Sequence, residues 1–340
     1  MVAEVLEWEE GGSAPTLVEI EKVVLKLRRR VAQRVAEALE RMAGVSLSDS
    51  TAWRLTQKWG EKFAQRQEAE RKVANALPQG VEGSAWRGRM GKRMGVALDG
   101  GMVHIRGEGW KEVQVGTPFE VEPRQGVDRE TGARVEVGGA VRQSYVAHLG
   151  GPQGLGQKMG AEAQRRGWEE SADTEGVGDG AAWVWNLAAD SFYDSIQVVD
   201  WYHAQEHLVG AARLVGGEGT EAAQGGLKRQ ETVRYQGHAL RIAQEWGQEA
   251  HRRPHQAEGL RGEAGDFRNN HRRMNYLERR GEGWPIGSGR VESGVKPFRA
   301  RFTGAGMRWS RIGAERLLAV RAALMSRRFD RLWPESYTPP

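Results

Sequence analysis

Near the C-terminal end of the sequence, Glu292 follows a Gly287-Ser288-Gly289 turn and stands among cations: Arg290, Lys296, Arg299, Arg301 and Arg308. A lone acid among cations is ordinarily a surface ion pair of small energetic weight. Here the turn aims the acid, and the cations are dense enough to hold a polyanion beside it. That layout suits metal-assisted cutting of nucleic acid. Hydrolysing a phosphodiester without a covalent intermediate requires water made nucleophilic and charge stabilised on the leaving oxygen. Two Mg2+ ions about 3.5–4 Å apart do both, and Mn2+ is the natural substitute. Mg2+ takes oxygen ligands, so acids must arrive from separate elements at one sheet edge. Asp99, at the first predicted strand, is one such acid and Glu292, opening the last helix, is another.

Two residues compete for the third place, Asp179 and Asp200. Each precedes a predicted helix, so each can also be read as an N-cap, contributing about 1 kcal/mol. His203 and His207 lie four apart on one predicted helix face, with Glu206 between them. Zinc is a weak reading of that pair. The Glu does not directly follow the first His, as the metalloprotease pattern requires, and no third ligand is evident nearby in sequence. The plainer reading is that His203 buries and hydrogen-bonds near the acids. The Gly287-Ser-Gly289 turn lacks a Lys-Ser/Thr ending and a preceding apolar strand, so no nucleotide cofactor is expected. Trp183, Trp185 and Trp201 flank the acids and read as core. Trp309, inside the basic run, is the tryptophan best placed to stack on an unpaired base, with core packing as the alternative.

Three blocks of the chain resemble a known family. Gly287-Ser-Gly-Arg-Val-Glu292-Ser, followed by Gly304-Ala-Gly-Met-Arg308-Trp309-Ser, is similar to the last catalytic block of DDE transposases from bacterial insertion sequences of the ISKra type. Leu98-Asp99-Gly-Gly-Met-Val-His-Ile-Arg106 matches a first block. Gly178-Asp179-Gly-Ala-Ala-Trp-Val-Trp-Asn186, continuing to Val199-Asp200-Trp-Tyr-His203-Ala-Gln-Glu-His207-Leu208, matches a second. The blocks stand in the family's order, and the resemblance covers roughly residues 90–333. It implies a ribonuclease H-like α/β fold, a mixed sheet flanked by helices. It implies Asp99, Asp179 and Glu292 as catalytic, metal-holding acids. Asp200 with His203 forms a supporting motif, Asp200 being the alternative middle acid. The partners it implies are DNA, as transposon ends and target, and further copies of the chain assembled on that DNA. Family members often carry a Cys-rich zinc-binding stretch near the N-terminus. This chain has no Cys, so that module is missing. The expected activity is DNA strand cleavage and strand transfer. The rival readings are a catalytically idle DNA-binding protein derived from such an enzyme, and a stand-alone ribonuclease H-like nuclease.

The elements that must position these residues follow from periodicity. Ile20, Val24, Leu27, Val31, Val35, Leu39 and Met42 recur at helical steps over 17–42, and Thr51–Lys72 reads as a second helix. The pair resembles a helix-turn-helix presenting Arg54 and Lys58 to DNA, or else a hairpin packed on the rest of the chain. Residues 1–80 form this helical N-terminal region, and Pro78–Gly91 the linker. The first part of the core spans 92–207. Its strands are expected at Met94–Ile105, Trp110–Thr117, Val141–His148 and Ile196–Val199, with Pro118–Gly139 a long polar hairpin end. The strand ahead of Asp179 is the weak link, because in Asp173-Thr-Glu-Gly-Val-Gly178 only Val177 can fill a core. A helix is expected over Gly156–Arg166, a helical insertion over 208–280, and the rest of the core over 281–333 with its final helix at Ala314–Phe329. The tail, 334–340, reads as disordered.

Composition sets the outer limits. Residues 251–340 hold 19 Lys+Arg against 9 Asp+Glu, whereas the rest of the chain holds 31 against 36. A basic C-terminal part on a slightly acidic protein reads as a polyanion-binding surface, the alternative being a solvated Arg-rich face. The absence of Cys excludes disulfides and thiolate zinc sites. No run of eighteen apolar residues is present, so no membrane span is expected. The acidic opening Met-Val-Ala-Glu-Val-Leu-Glu lacks an apolar signal core, so the expected location is the cytoplasm.

Overall fold

The structure is a computed structural model that describes residues 48–76, 91–128, 132–287, 302 and 307–336. The predicted helix at 17–42, nearly all of the linker, Glu292 and the cations Arg290, Lys296, Arg299 and Arg301 lie outside the described residues.

Six strands form one mixed sheet: β1 (Arg93–Ile105), β2 (Gly109–Val127), β3 (Arg134–Val141), β4 (Val146–Leu149), β5 (Asp173–Gly178) and β6 (Ile196–Val199). Their order is β3-β2-β1-β5-β6, with β4 pairing on β2. β1 and β2 are antiparallel, whereas β1, β5 and β6 run parallel. The first strand behaves as its alternation predicts, with Met94, Val96 and Leu98 buried. Gly100 and Gly101 do not interrupt it: one strand runs through to Ile105.

Two expectations need correction. The stretch 118–139 is a hairpin, as expected, but its arms are paired strands rather than an end beyond them. β2 continues to Val127, and Arg134–Val141 pairs with it antiparallel, Glu120 opposite Val141 through Val127 opposite Arg134. Its polar residues hide a period-2 pattern at the start of β3, where Val135 and Val137 are less exposed than Arg134 and Glu136. The strand expected at Val141–His148 is accordingly two, divided by a bend at Arg142, whose φ is positive. The strand before Asp179 is also complete. All of β5 except Asp173 is buried, and it pairs with β1 on one side and β6 on the other. Small residues make this work. A Cβ on Gly178 would overlap Val184 of the following helix, so glycine lets that helix lie directly on the strand.

Ten α-helices lie within the described residues. They are α1 (Asp49–Ala76), α2 (Pro152–Arg165), α3 (Ala182–Ser191), α4 (Trp201–Gly216), α5 (Glu221–Tyr235), α6 (Ala239–Arg252), α7 (Ala257–Asn270), α8 (Tyr276–Gly281), α9 (Arg311–Met325) and α10 (Phe329–Ser336). α2 and α3 cover one face of the sheet: Met159 of α2 fills the space above Gly116, and Leu187 of α3 lies beside Gly156. The stretch expected as an insertion, 208–280, is helical: it takes in the end of α4 and helices α5–α8, whose buried residues join one hydrophobic cluster with the sheet. Arg234 of α5 is the buried cation at that junction. It lies 3.5 Å over the Trp201 ring and donates to Trp201 O at 3.0 Å and Gln205 Oε1 at 2.6 Å.

α1 packs on α9. Trp59 and Phe63 are 0 % exposed against Ala319, Val320, Ala323, Phe329 and Leu332. At the crossing a Cβ on Gly60 would stand 2.6 Å from Arg316 O, so glycine sets the close approach. This contact also orders α10, so the start of the expected disordered tail, 334–336, belongs to a helix anchored by Phe329 and Leu332. Among the described residues no helix is long and apolar enough to cross a membrane.

Candidate functional site

The parallel strands place three acids at one level. Leu98 pairs with Gly178, and Gly178 pairs with Val199. Asp99, Asp179 and Asp200 are each the next residue. Neighbouring strands lie about 4.8 Å apart, so the backbone brings these three acids side by side to the edge where β5 and β6 end. Asp200 N donates to Gly178 O at 2.7 Å, which continues the ladder one step beyond β6.

The three acids differ in their surroundings. Asp200 is 5 % exposed and caps α4, its Oδ1 accepting from Tyr202 N at 2.7 Å and His203 N at 3.1 Å. Asp179 is not a helix cap; α3 is capped by Ala181 without a side-chain bond. Asp179 is half-buried, and its Oδ1 accepts from Ala181 N at 3.0 Å, holding a turn through Gly180 whose φ is +86°. Asp99 is half-buried too, and its Oδ1 accepts from Gly100 N at 2.7 Å. The N-cap reading therefore holds for Asp200 and not for Asp179.

Beside these acids sits a second group, of which the sequence shows only the histidine pair. His203 Nε2 lies 3.0 Å from His207 Nε2, and Asp266 Oδ2 of α7 lies 3.8 Å from His207 Nε2. The ligand atoms of His203, His207 and Asp266 all fall within 4.8 Å of one another, so the group could hold a metal ion. The expectation that no third ligand accompanies the histidines is thus corrected, because Asp266 arrives from the insertion. Its Oδ2 is buried with no hydrogen-bond partner among the described residues. Burial raises the Asp266 carboxyl above the usual range, against the pull of His207 and His203. His207 Nδ1 lies 2.5 Å from Glu263 Oε2; that bond to Glu263 is the main cause raising the His207 imidazole, opposed by burial. α7 also touches the Asp179 turn: Asn270 Nδ2 donates to Gly180 O at 3.4 Å. Glu263, Asp266 and Asn270 recur at helical steps on α7, a spacing visible in the sequence but without meaning until α4 is its neighbour.

The chain re-enters this region before Glu292. Trp201 N donates to Ile286 O at 3.0 Å, and a Cβ on Gly287 would stand 3.1 Å from Trp201 Cβ. After Glu292 the chain is anchored at Trp309, whose N donates to His104 O at 3.0 Å at the end of β1. Trp309 is 3 % exposed. Its Nε1 donates to Phe302 O at 3.0 Å and its ring meets Trp53 at 5.9 Å, so the indole is core and is not presented for base stacking. Trp185 and Trp201 are core as expected, whereas Trp183 is partly buried against it. Arg308, Arg54 and Lys58 are all exposed. Because Trp53 touches Trp309, the start of α1 and the end of the basic run adjoin. No family model matches the chain, and no curated protein matches it.

Proposed function

We propose that the chain is a DDE-type transposase that cuts DNA at insertion-sequence ends and joins it to a target. In this reading Asp99, Asp179 and Glu292 hold the metal. The observation that carries it is the common level of Asp99 and Asp179, one residue past paired positions of adjacent parallel strands. Strand order supports a ribonuclease H-like fold: an antiparallel β3-β2-β1 meander followed by parallel β5 and β6. Both acids offer carboxylate oxygens, the donor type that Mg2+ takes, and both are half-buried. Asp200 fits less well, since its Oδ1 already accepts from two amides.

When bound, paired divalent ions supply water activation and stabilise charge on the leaving oxygen. The chain's own residues do the positioning. Gly100 N and Ala181 N each fix one oxygen of an acid. Glu292 is five residues beyond Gly287, a span of at most about 18 Å, and Gly287 packs beside Trp201 next to Asp200. Arg290, Lys296, Arg299, Arg301 and Arg308 neutralise phosphates. Arg54 and Lys58 of α1 extend that cationic surface.

Asp99→Ala and Glu292→Ala should each abolish Mg2+-dependent cleavage of DNA carrying the element's ends, with DNA affinity kept or raised. Cleavage in the presence of EDTA, or full activity in either variant, would refute the proposal.

A further inference from the structure

The group formed by His203, His207 and Asp266 has the composition of a zinc site. Two imidazoles and one carboxylate match the borderline character of Zn2+ and differ from the all-oxygen sets that Mg2+ prefers. Ligands at about 2.0–2.2 Å from a tetrahedral ion stand roughly 3.3–3.5 Å apart. Here the two Nε2 atoms are 3.0 Å apart, and His207 Nε2 is 3.8 Å from Asp266 Oδ2. Two of the three separations bracket that edge, and the third, between His203 and Asp266, is within 4.8 Å, so all three ligand atoms stand close enough to converge on one ion.

Tautomers point the same way. Glu263 is acceptor-only when ionised, so the short contact places the proton on His207 Nδ1 and leaves Nε2 with its lone pair toward His203 and Asp266. A carboxylate behind a ligating imidazole is the usual outer partner of zinc. Without an ion, the two facing Nε2 atoms need a proton between them, and Asp266 Oδ2 has no hydrogen-bond donor among the described residues. An ion replaces that proton and satisfies the buried oxygen together.

We propose that His203, His207 and Asp266 bind one Zn2+ ion, with Glu263 orienting His207, and that the ion ties α7 of the insertion to α4 beside the acidic edge. The site is separate from the one in the proposed function and does not depend on it.

Isothermal titration of Zn2+ into the metal-stripped full chain tests it. We expect one ion per chain, held at least a hundredfold more tightly than by His203→Ala/His207→Ala, and not displaced by millimolar Mg2+. Glu263→Gln keeps every ligand and should weaken Zn2+ binding about 10–100-fold. Zn2+ should raise the melting temperature of wild type and not of the double variant, whose folding is checked by circular dichroism. Asp179→Asn should leave the isotherm unchanged, which separates this site from the proposed active site. Less than a tenfold difference between wild type and a folded double variant would overturn the assignment. Displacement by Mg2+ would do the same, as would a Glu263→Gln isotherm equal to wild type.

Discussion

Asparagine variants of Asp179 and Asp200 separate metal holding from helix capping. Asp200 accepts two amide hydrogen bonds at the start of α4. Alanine there removes both and should cost about 1–2 kcal/mol. Asparagine keeps an oxygen acceptor and ranks with aspartate as an N-cap, so its cost is the lost charge at the helix N-terminus, about 0.3–1 kcal/mol. Asp179 accepts one bond, from Ala181 N, which asparagine also preserves. Both asparagine variants should therefore lie within about 1 kcal/mol of wild type in urea denaturation, leaving charge as the principal difference between them. In a plasmid-nicking assay with Mg2+, Asp200→Asn should lose no more than the roughly 10–100-fold typical of a residue supporting a metal site. Asp179→Asn should lose more than that. The opposite order of severity would move the catalytic role to Asp200. A loss above about 2 kcal/mol in either asparagine variant would show that these carboxylates do more for the fold than cap and hold turns.

Three other outcomes follow from the same physical reasoning. Burial raises the Glu175 carboxyl well above the usual range, against the pull of Arg93 and Arg279, and both its oxygens lack hydrogen-bond partners among the described residues. The folded state then binds the extra proton, so stability declines as pH rises above about 4.5. Glu175→Leu should remove that decline and add about 1–3 kcal/mol at neutral pH; a wild-type denaturation profile that stays flat between about pH 5 and 8 would count against it. His148 shifts the other way, its imidazole lowered to about 4 chiefly by burial, with Lys158 and Arg311 adding to the shift. Stability should fall as pH drops from about 6.5 to 4, because the unfolded chain takes the proton first. His148→Gln should flatten that limb, and melting curves across this window check it. Finally, Arg299→Ala with Arg301→Ala should weaken binding to all DNA sequences alike and reduce the log–log salt slope by about 0.9 for each phosphate no longer neutralised. An unchanged slope would move the DNA path to Arg54 and Lys58.

The acidic edge was legible in the sequence for a definite reason. Asp99 and Asp200 each follow an apolar run that reads as an interior strand; β6 stops there, whereas β1 runs on past Asp99 to Ile105. β5 was much harder to see. Its burial comes from pairing on both sides and from Gly178, whose missing side chain lets α3 approach, and a glutamate in its middle contradicts every local preference. β3 carried its alternation at Val135 and Val137 in plain view, but the charged neighbours obscured it. Of the histidine–aspartate group only the His203–His207 pair was legible. Its third ligand lies on a helix 59 positions from His207, and only the packing of α7 on α4 brings them together. Trp309 misled because its neighbours are basic, whereas its own ring is placed by Trp53 and Phe302.

Arg234 fixes how this molecule must come apart. Its guanidinium is held by the backbone of Trp201, the residue between Asp200 and the rest of α4, and that ring meets Tyr235 and Tyr276 edge-on. Lifting the insertion away would strand a charged group in an apolar seam and expose three aromatic rings together. The insertion and the sheet should therefore unfold in one cooperative step. Hydrogen exchange should protect α5 and β6 to the same depth, and a protease should release no stable fragment of residues 208–280. A helical insertion wired in this way is part of the frame that holds Asp200 in place, and any motion that repositions the acids must carry it along.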